Sequence, residues 1–357
     1  MGGALCLLLV ALAGPAFALC QAGKALVDST TANVANPKGC SRQVDAAEPT
    51  KDGMAISLNK RGLVYQSRGE LDCALQLLSR AIELKPRVAA LFNNRGVVYT
   101  LKGETGRAID DFNEAIRLDP GIAEVYNNMG DALLSKGEVD GAIDSLDRAI
   151  GLKADYAKAY NNRAHAYSRK RDLERAIRDY NEAIRFEPDF VEAYYSRGTA
   201  RLGLGDIAGA FADFDRVIRL EPGLADAYNG RGVALSAKGA RDRAIQDYDE
   251  AIRLRPDFVE AYYNRGLAFY RLGRFDSAVE DLSAAIRLRP NYPEAFNNRG
   301  SVYADEGQFD RAIRDFDEAI RLRPDFAKAL QNRASVSARM GNREQAARDP
   351  GEAASRQ

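Results

Sequence analysis

Apolar and small residues recur with a fixed period of 34 residues along most of this chain. Residues 259–292 show the pattern most completely and read VEAYYNRGLAFYRLGRFDSAVEDLSAAIRLRPNY. Equal stretches before and after them, 225–258 and 293–326, repeat it without insertions. When residue 259 is position 1, positions 4, 8 and 11, and then 20, 24 and 27, fall at helical spacing. The pattern therefore predicts two helices per repeat, each with one buried stripe.

Small residues stand at positions 8, 20 and 27, and large residues stand mostly at positions 4, 11 and 24. Glycine costs about 1 kcal/mol relative to alanine inside a helix. Its recurrence at position 8 therefore predicts that another helix passes too close for a Cβ atom. Gly273 at position 15 is predicted to end the first helix, and Pro290 at position 32 closes the repeat.

The period divides the chain into eight complete repeats and a partial ninth. The complete repeats are 55–88, 89–122, 123–156, 157–190, 191–224, 225–258, 259–292 and 293–326. The ninth, 327–349, keeps the pattern of a first helix, but Pro350 stands where its second helix needs an aromatic residue. Residues 350–357 are predicted to form a tail.

Several repeat positions agree with the pattern aromatic–x2–Leu–Gly–x2–Tyr, then Ala–x3–Phe, Ala and Pro. Tyr262, Gly266, Ala278, Ala285 and Pro290 carry this agreement in residues 259–292. The chain thus resembles the tetratricopeptide repeat family in eight successive repeats. The resemblance implies an all-α, right-handed superhelical solenoid of antiparallel helix pairs. It also implies a concave groove in which protein or peptide partners bind.

The N-terminal 18 residues are mostly apolar and end in a small-x-small sequence, which predicts a cleavable secretory signal. The run is too short to span a bilayer, so no membrane span is expected after cleavage. The protein is therefore predicted to be exported from a bacterial cytoplasm and to be periplasmic or secreted. Lipid attachment at Cys20 is a lesser alternative.

Residues 19–54 are predicted to be a polar lead-in. The repeat register places Cys40 at position 20 of an incomplete preceding repeat, so residues 38–47 are predicted to form a capping second helix. A disulfide between Cys20 and Cys40 would hold this cap in an oxidising compartment, leaving Cys73 unpaired. An unstructured leader with free thiols is the alternative.

The composition offers little for catalysis or for cofactors. His165 is the single histidine, no cysteine pair has CxxC spacing, and no strand supports a phosphate loop. We therefore expect no enzyme activity, no metal, no cofactor and no small-molecule substrate. The 51 acidic and 51 basic residues balance, which argues against a nucleic-acid partner.

Arginine recurs at position 7 and an acid recurs at position 23, as in Arg265 and Asp281. These side chains are predicted to pair between neighbouring helices, which is a packing role.

Positions 2, 6, 9 and 13 form a second stripe on the first helices, and the family resemblance implies that it lines the groove. Position 6 is asparagine in six repeats: Asn94, Asn128, Asn162, Asn264, Asn298 and Asn332. A carboxamide can donate to and accept from a peptide group, so this row predicts backbone recognition of an extended chain. It is similar to the asparagine ladder in the repeats of O-GlcNAc transferase. The alternative is that these amides cap neighbouring carbonyls or serve packing.

The asparagine row is interrupted at Ser196 and Gly230, which predicts two binding stretches. Tyr195, Tyr263 and Tyr270 are predicted to add aromatic contacts in the second stretch. No Lys/Arg-dominated clamp is present, so capture of a carboxyl terminus is not favoured.

The sequence predicts a non-catalytic scaffold that binds an extended peptide or partner protein in its groove. The alternative is a self-associating structural spacer in an envelope complex, which would use its ends or its convex face.

Overall fold

The structure is a computed structural model that describes Cys40 and residues 50–341. The predicted signal at 1–18, Cys20, most of the predicted cap, the second helix of the ninth repeat and the tail lie outside the described residues.

The described residues form seventeen α-helices and no strands, which confirms the all-α prediction. First and second helices of each repeat alternate along the chain. In order they are α1 Lys51–Ser67, α2 Leu71–Leu84, α3 Ala89–Leu101, α4 Thr105–Leu118, α5 Ala123–Lys136, α6 Val139–Leu152, α7 Ala157–Arg169, α8 Leu173–Phe186, α9 Val191–Leu204, α10 Ile207–Leu220, α11 Ala225–Ala237, α12 Arg241–Leu254, α13 Val259–Arg271, α14 Phe275–Leu288, α15 Pro293–Asp305, α16 Phe309–Leu322 and α17 Ala327–Arg339.

The described residues fall into two compact units, one ending at Ala200 and one beginning at Arg201. We call them the N-terminal unit and the C-terminal unit. Within each unit, first helices pack against the second helix of their own repeat, as α5 does against α6 and α11 against α12, and second helices pack against the next repeat, as α6 does against α7 and α12 against α13.

Helix α1 begins at Lys51, four residues before the predicted start of the first repeat. Thr50 has an extended backbone, and its side-chain oxygen accepts a hydrogen bond from the backbone N–H of Gly53 at 3.0 Å. This N-cap satisfies a helix-end donor and extends the helix backwards. The first helix therefore starts within the predicted lead-in, ahead of residue 55.

Glycine at position 8 lets the two helices of a repeat touch. A Cβ atom on Gly130 would lie 2.6 Å from Cγ of Leu146 in the N-terminal unit. One on Gly232 would lie 2.6 Å from Cε1 of Tyr248 in the C-terminal unit. The position-20 alanines, such as Ala142 in the N-terminal unit, are fully buried. The two helices of a repeat therefore approach each other as closely as the glycines at position 8 predict.

Arginine at position 7 joins three helices. In the N-terminal unit, Arg163 donates to both carboxylate oxygens of Asp179, at 2.7 and 2.8 Å. It also donates to Asp147, at position 25 of the preceding repeat, at 2.5 Å. In the C-terminal unit, Arg265 makes the same contacts with Asp281 and Asp249. The position-23 partner belongs to the second helix of the same repeat, so the pair supports packing within and between repeats.

The structure pairs Cys40 with Cys73, and the predicted Cys20–Cys40 disulfide is therefore wrong. The Cα atoms of Cys40 and Cys73 are 5.5 Å apart, within the range that a disulfide spans. Cys40 is buried, and its carbonyl accepts a hydrogen bond from Arg61 at 3.5 Å. The disulfide thus fastens the chain at Cys40 to α2.

Arg171 occupies a backbone conformation that glycine adopts at the same place in other repeats. Its φ of 61° lies in the left-handed region, where Gly137 has a φ of 89°. The N–H of Asp172 bonds to the carbonyl of Tyr167 at 2.9 Å, as Glu138 does to Leu133. The turn after α7 therefore keeps the helix-ending hydrogen bond but places a Cβ atom where it is disfavoured.

We expect Arg171→Gly to raise the free energy of unfolding by about 0.5–1 kcal/mol, because the lost Cβ strain exceeds the added chain entropy. Chemical unfolding of the two proteins measures the difference. The control Gly137→Arg should shift the unfolding midpoint in the opposite direction. A destabilised Arg171→Gly variant would contradict the strain assigned to this turn.

Candidate functional site: the polar face of the first helices

The first helices carry a regular row of hydrogen-bonded carboxamides. In the N-terminal unit, Asn128 at position 6 donates from Nδ2 to Oδ1 of Asn93, which is position 5 of the preceding repeat, at 2.9 Å. Asn162 donates in the same way to Asn127 at 3.0 Å. The residues of each pair are 35 apart. Position 6 of one repeat is therefore bonded to position 5 of the repeat before it.

The same bond recurs in both units. The further pairs are Asn94 with Asn59 in the N-terminal unit, and Asn264 with Asn229, Asn298 with Tyr263 and Asn332 with Asn297 in the C-terminal unit. Asn127 also donates to Oδ1 of Asn128 at 3.4 Å, and Asn297 donates to Asn298 at 3.3 Å. The amides thus form short continuous chains across the first helices.

The position-5 asparagines are the part of this row that the sequence interpretation missed. They are Asn59, Asn93, Asn127, Asn161, Asn229 and Asn297. Asn93, Asn127 and Asn161 are buried, and each belongs to an Asn-Asn pair that recurs at intervals of 34 residues. The recurring Asn-Asn pair was the sequence feature that could have indicated the row, because the asparagine at position 5 supplies the acceptor for the position-6 asparagine of the next repeat.

Most of the predicted position-6 residues remain accessible after this bonding. Asn94, Asn128, Asn162, Asn298 and Asn332 are half-buried. Each donates from Nδ2 into the row, and a carboxamide has two N–H donors and an oxygen that accepts twice. The sequence left two alternatives for these amides, packing between repeats or contact with a ligand. In the structure the position-6 amides bond between repeats and still keep accessible donor and acceptor atoms.

Asn264 and Tyr263 do not fit the predicted ligand contacts. Each is only 3% exposed, and the Tyr263 hydroxyl accepts a hydrogen bond from Asn298 at 2.7 Å. The Tyr263 ring also packs on Tyr292, with the ring centres 4.9 Å apart. We therefore reassign both residues to packing.

The other two predicted tyrosines are half-buried. The hydroxyl of Tyr270 donates to Asp305 at 2.6 Å, and burial raises the pKa of that hydroxyl. The carbonyl of Tyr195 accepts a hydrogen bond from Thr199. Neither residue is excluded from a ligand contact by its burial.

The two interruptions of the row have separate causes. Ser196 faces His165, with the hydroxyl oxygen 3.1 Å from Nε2 of the ring. Gly230 packs against Phe214, and a Cβ atom there would lie 2.7 Å from Cε1 of that ring. An asparagine does not fit at residue 230 without moving Phe214.

Acidic residues at position 2 are mostly paired in the C-terminal unit. Glu260 binds Arg289 at 2.5 Å, and Glu294 binds Arg323 at 2.8 Å. The arginine stands at position 31 of the same repeat in both cases. These carboxylates are therefore neutralised by the chain itself.

His165 lies within a polar cluster of the N-terminal unit. Its Nε2 is 3.7 Å from Oε1 of Glu192, and its ring packs edge-on against Tyr180 with the ring centres 5.7 Å apart. Burial lowers the pKa of His165 to about 4, and the charge of Asp131 acts in the opposite direction. The imidazole is therefore neutral at pH 7.

No group of three His, Cys, Asp or Glu side chains within the described residues is placed to hold a metal ion. Across those residues, no helix combines the length and apolar character needed to cross a membrane.

Family models of the tetratricopeptide repeat match most of the repeat region. One described as TPR repeat matches 130–171, 237–273 and 266–307. A second model, described as tetratricopeptide repeat, matches 89–121, 157–190 and 293–326. A third model with the same description matches 191–223. The chain belongs to the tetratricopeptide repeat family. The repeats support a general role as a scaffold for protein–protein interaction, and the fold is one that is typically non-catalytic.

Solved structures support the same fold. The chain is similar to one in the APC/C hetero-tetramer Cut9–Hcn1, with a TM-score of 0.58 and 18% identity over 80% of this chain. It spans 55% of that protein. A tetratricopeptide repeat protein from Parabacteroides merdae gives a TM-score of 0.55 and 20% identity, covering 70% of this chain and 98% of that one. Both show the fold alone.

A third structure is YrrB, described as a TPR protein with an unusual peptide-binding site. Its TM-score is 0.44 and its identity is 26%, covering 53% of this chain and 97% of that one. No curated protein matches this chain significantly.

We expect the His165 ring to titrate with a midpoint near pH 4 in NMR, because burial disfavours the imidazolium. Unfolded chains protonate histidine near pH 6.5, so this residue costs stability as the pH falls from about 6.5 to 4. The variant His165→Gln should lose less stability over that interval. A wild-type midpoint near 6.5 would show that the ring is not shielded.

Proposed function

We propose that this protein is an exported, non-catalytic scaffold that holds an extended segment of a partner protein along its first helices. The surface formed by positions 2, 6, 9 and 13 of those helices is called the first-helix face. The segment would bind mainly through its backbone.

The observation that carries this proposal is the row of half-buried asparagines fixed by hydrogen bonds between repeats. Asn128 and Asn162, for example, each donate to a buried amide of the preceding repeat. This bonding restrains side chains that would otherwise lose rotamer freedom on binding. The amides are therefore oriented in advance, with donor and acceptor capacity left for a peptide group.

Backbone recognition suits an extended partner with little sequence demand. A peptide in the extended form has unpaired N–H and C=O groups along both edges, and carboxamides match both. Ordering a flexible segment costs free energy that offsets part of this gain. We therefore expect moderate affinity with limited dependence on the partner's side chains.

Two features support export. The apolar residues 1–18 have the length and ending of a secretory signal. The Cys40–Cys73 disulfide is of a kind that persists in oxidising compartments. The two observations are independent, since one concerns targeting and the other concerns redox chemistry.

The proposal predicts that changing Asn128, Asn162 and Asn298 together to Ala abolishes capture of a partner from an envelope extract of the source organism. The matched control removes three exposed carboxamides from second helices, with Gln76, Asn113 and Gln246 changed to Ala. Helicity and unfolding midpoint are measured for both variants, because the asparagine changes also remove bonds between repeats.

A partner retained by the wild type and the control, and lost by the folded asparagine variant, is the expected result. Equal capture by all three proteins would contradict binding on the first-helix face. It would favour an association through the ends or the opposite face, as in the assembly alternative.

A further inference from the structure

We propose that the N-terminal unit binds a primary ammonium group, the end of a partner's lysine side chain, at Asp131, Glu192 and Asn161. This inference rests on the proposed function, because it assigns one side chain of the bound segment to one place on the first-helix face.

Two carboxylates at this place have no cationic partner. Asp131 is position 9 of the third repeat and is exposed, and Glu192 is position 2 of the fifth repeat. Among the described residues, neither makes an ion pair with a lysine or an arginine. The Nε2 atom of His165 lies 3.7 Å from Glu192, but this imidazole is neutral at pH 7. By contrast, Glu260 and Glu294 at the same repeat position each hold an arginine.

The sequence explains this difference at position 2. The arginines that bind Glu260 and Glu294 stand at position 31 of their repeats, whereas position 31 of the fifth repeat is Glu221. The repeat pattern therefore supplies no arginine there. Lys158, at position 2 of the fourth repeat, is exposed and acts on Glu192 only through its charge.

The electrostatics of the two carboxyl groups agree with a shortage of positive charge. Burial raises the pKa of Glu192, against a hydrogen bond from Asn161 that lowers it. The negative charge of Glu192 also acts on the exposed Asp131 and disfavours its ionised form. A cation between them would favour the charged form of both groups.

The side-chain oxygen of Asn161 gives independent evidence for a ligand. Asn161 is 2% exposed, and its Nδ2 donates to Oε1 of Glu192 at 3.3 Å, so the amide lies at the cluster. Its Oδ1 has no hydrogen-bond partner among the described residues. In other repeats that oxygen accepts from the position-6 asparagine of the next repeat, but here position 6 is Ser196, which faces His165. A buried carbonyl oxygen without a donor is costly, and an incoming N–H group satisfies it.

The chemistry of the three acceptors selects the ligand. Two carboxylates and an amide oxygen match the three N–H donors of an ammonium group, and the charges favour a cation. The described residues include no set of three ligands placed for a metal ion, so an organic cation suits the site better. The aliphatic part of a lysine side chain can extend from the first-helix face towards the partner's backbone.

The single histidine provides a direct test. Protein labelled with 13C in histidine gives one His165 Cε1 resonance, and His165 contacts Glu192. The probe is N-acetyl-lysine methylamide, with N-acetyl-norleucine methylamide as the uncharged control at equal ionic strength. We expect a saturable shift with the lysine compound and none with the norleucine compound.

Glu192→Gln should weaken the lysine response roughly tenfold, because it removes a charged acceptor. The matched change Glu294→Gln, in the C-terminal unit, should leave the response unchanged. Asp131→Asn, on an exposed residue, serves as the second variant if Glu192→Gln does not fold.

Three results would overturn the inference: no saturable shift in the wild type, an equal shift with norleucine, or full affinity in the folded acid variant. None of these results would contradict the scaffold proposal, which is tested separately by the capture experiment. Partner capture without a lysine response would reject this site alone.

Discussion

The close approach of the two helices of a repeat is the constraint on which the rest of the structure depends. A Cβ atom at Gly130 or Gly232 would lie 2.6 Å from the large side chain of the second helix. Packing at this distance is stabilising because dispersion contacts are lost as soon as a gap opens. It also fixes the rotation of each first helix, so that positions 5 and 6 face the neighbouring first helix. The carboxamide row is therefore a consequence of the core packing.

Two polar links then join successive repeats. Arg163 holds Asp179 of its own repeat and Asp147 of the preceding one, and the asparagines at positions 5 and 6 bond across the first helices. Breaking a buried ion pair by removing one partner typically costs about 3–5 kcal/mol, which exceeds the value of an exposed helix pair. Stacked repeats are stable only through their neighbours, so these links contribute to the register as well as to stability. The third repeat carries Met129 and Ser145 at positions 7 and 23, which removes both charges together.

Much of the fold was predictable because a 34-residue period repeats the same information many times. The small residue at position 8, the glycine at position 15 and the alanine at position 20 have the predicted roles. The Cys40–Cys73 disulfide was missed because spacing along the chain does not show which thiols meet in space. The burial of Tyr263 was missed because position 5 looked like a flank of the groove, whereas its ring packs on Tyr292 and its hydroxyl bonds to Asn298 of the next repeat. The proposed lysine site depends on two departures from the repeat pattern, a serine in place of asparagine at residue 196 and a glutamate in place of arginine at residue 221. The sequence shows both departures, but only the contacts in the structure show that they leave Asn161 Oδ1 without a donor and Glu192 without an arginine.

The central claim is that a partner segment lies along the first-helix face, and site-specific photo-crosslinking tests it most directly. A photoreactive p-benzoylphenylalanine replaces Lys158 on that face in one variant and Arg178 on a second helix in another; both residues are exposed. After irradiation with the envelope extract, the account predicts a cross-linked partner from the first variant and none from the second. A cross-link formed only through residue 178 would contradict the account.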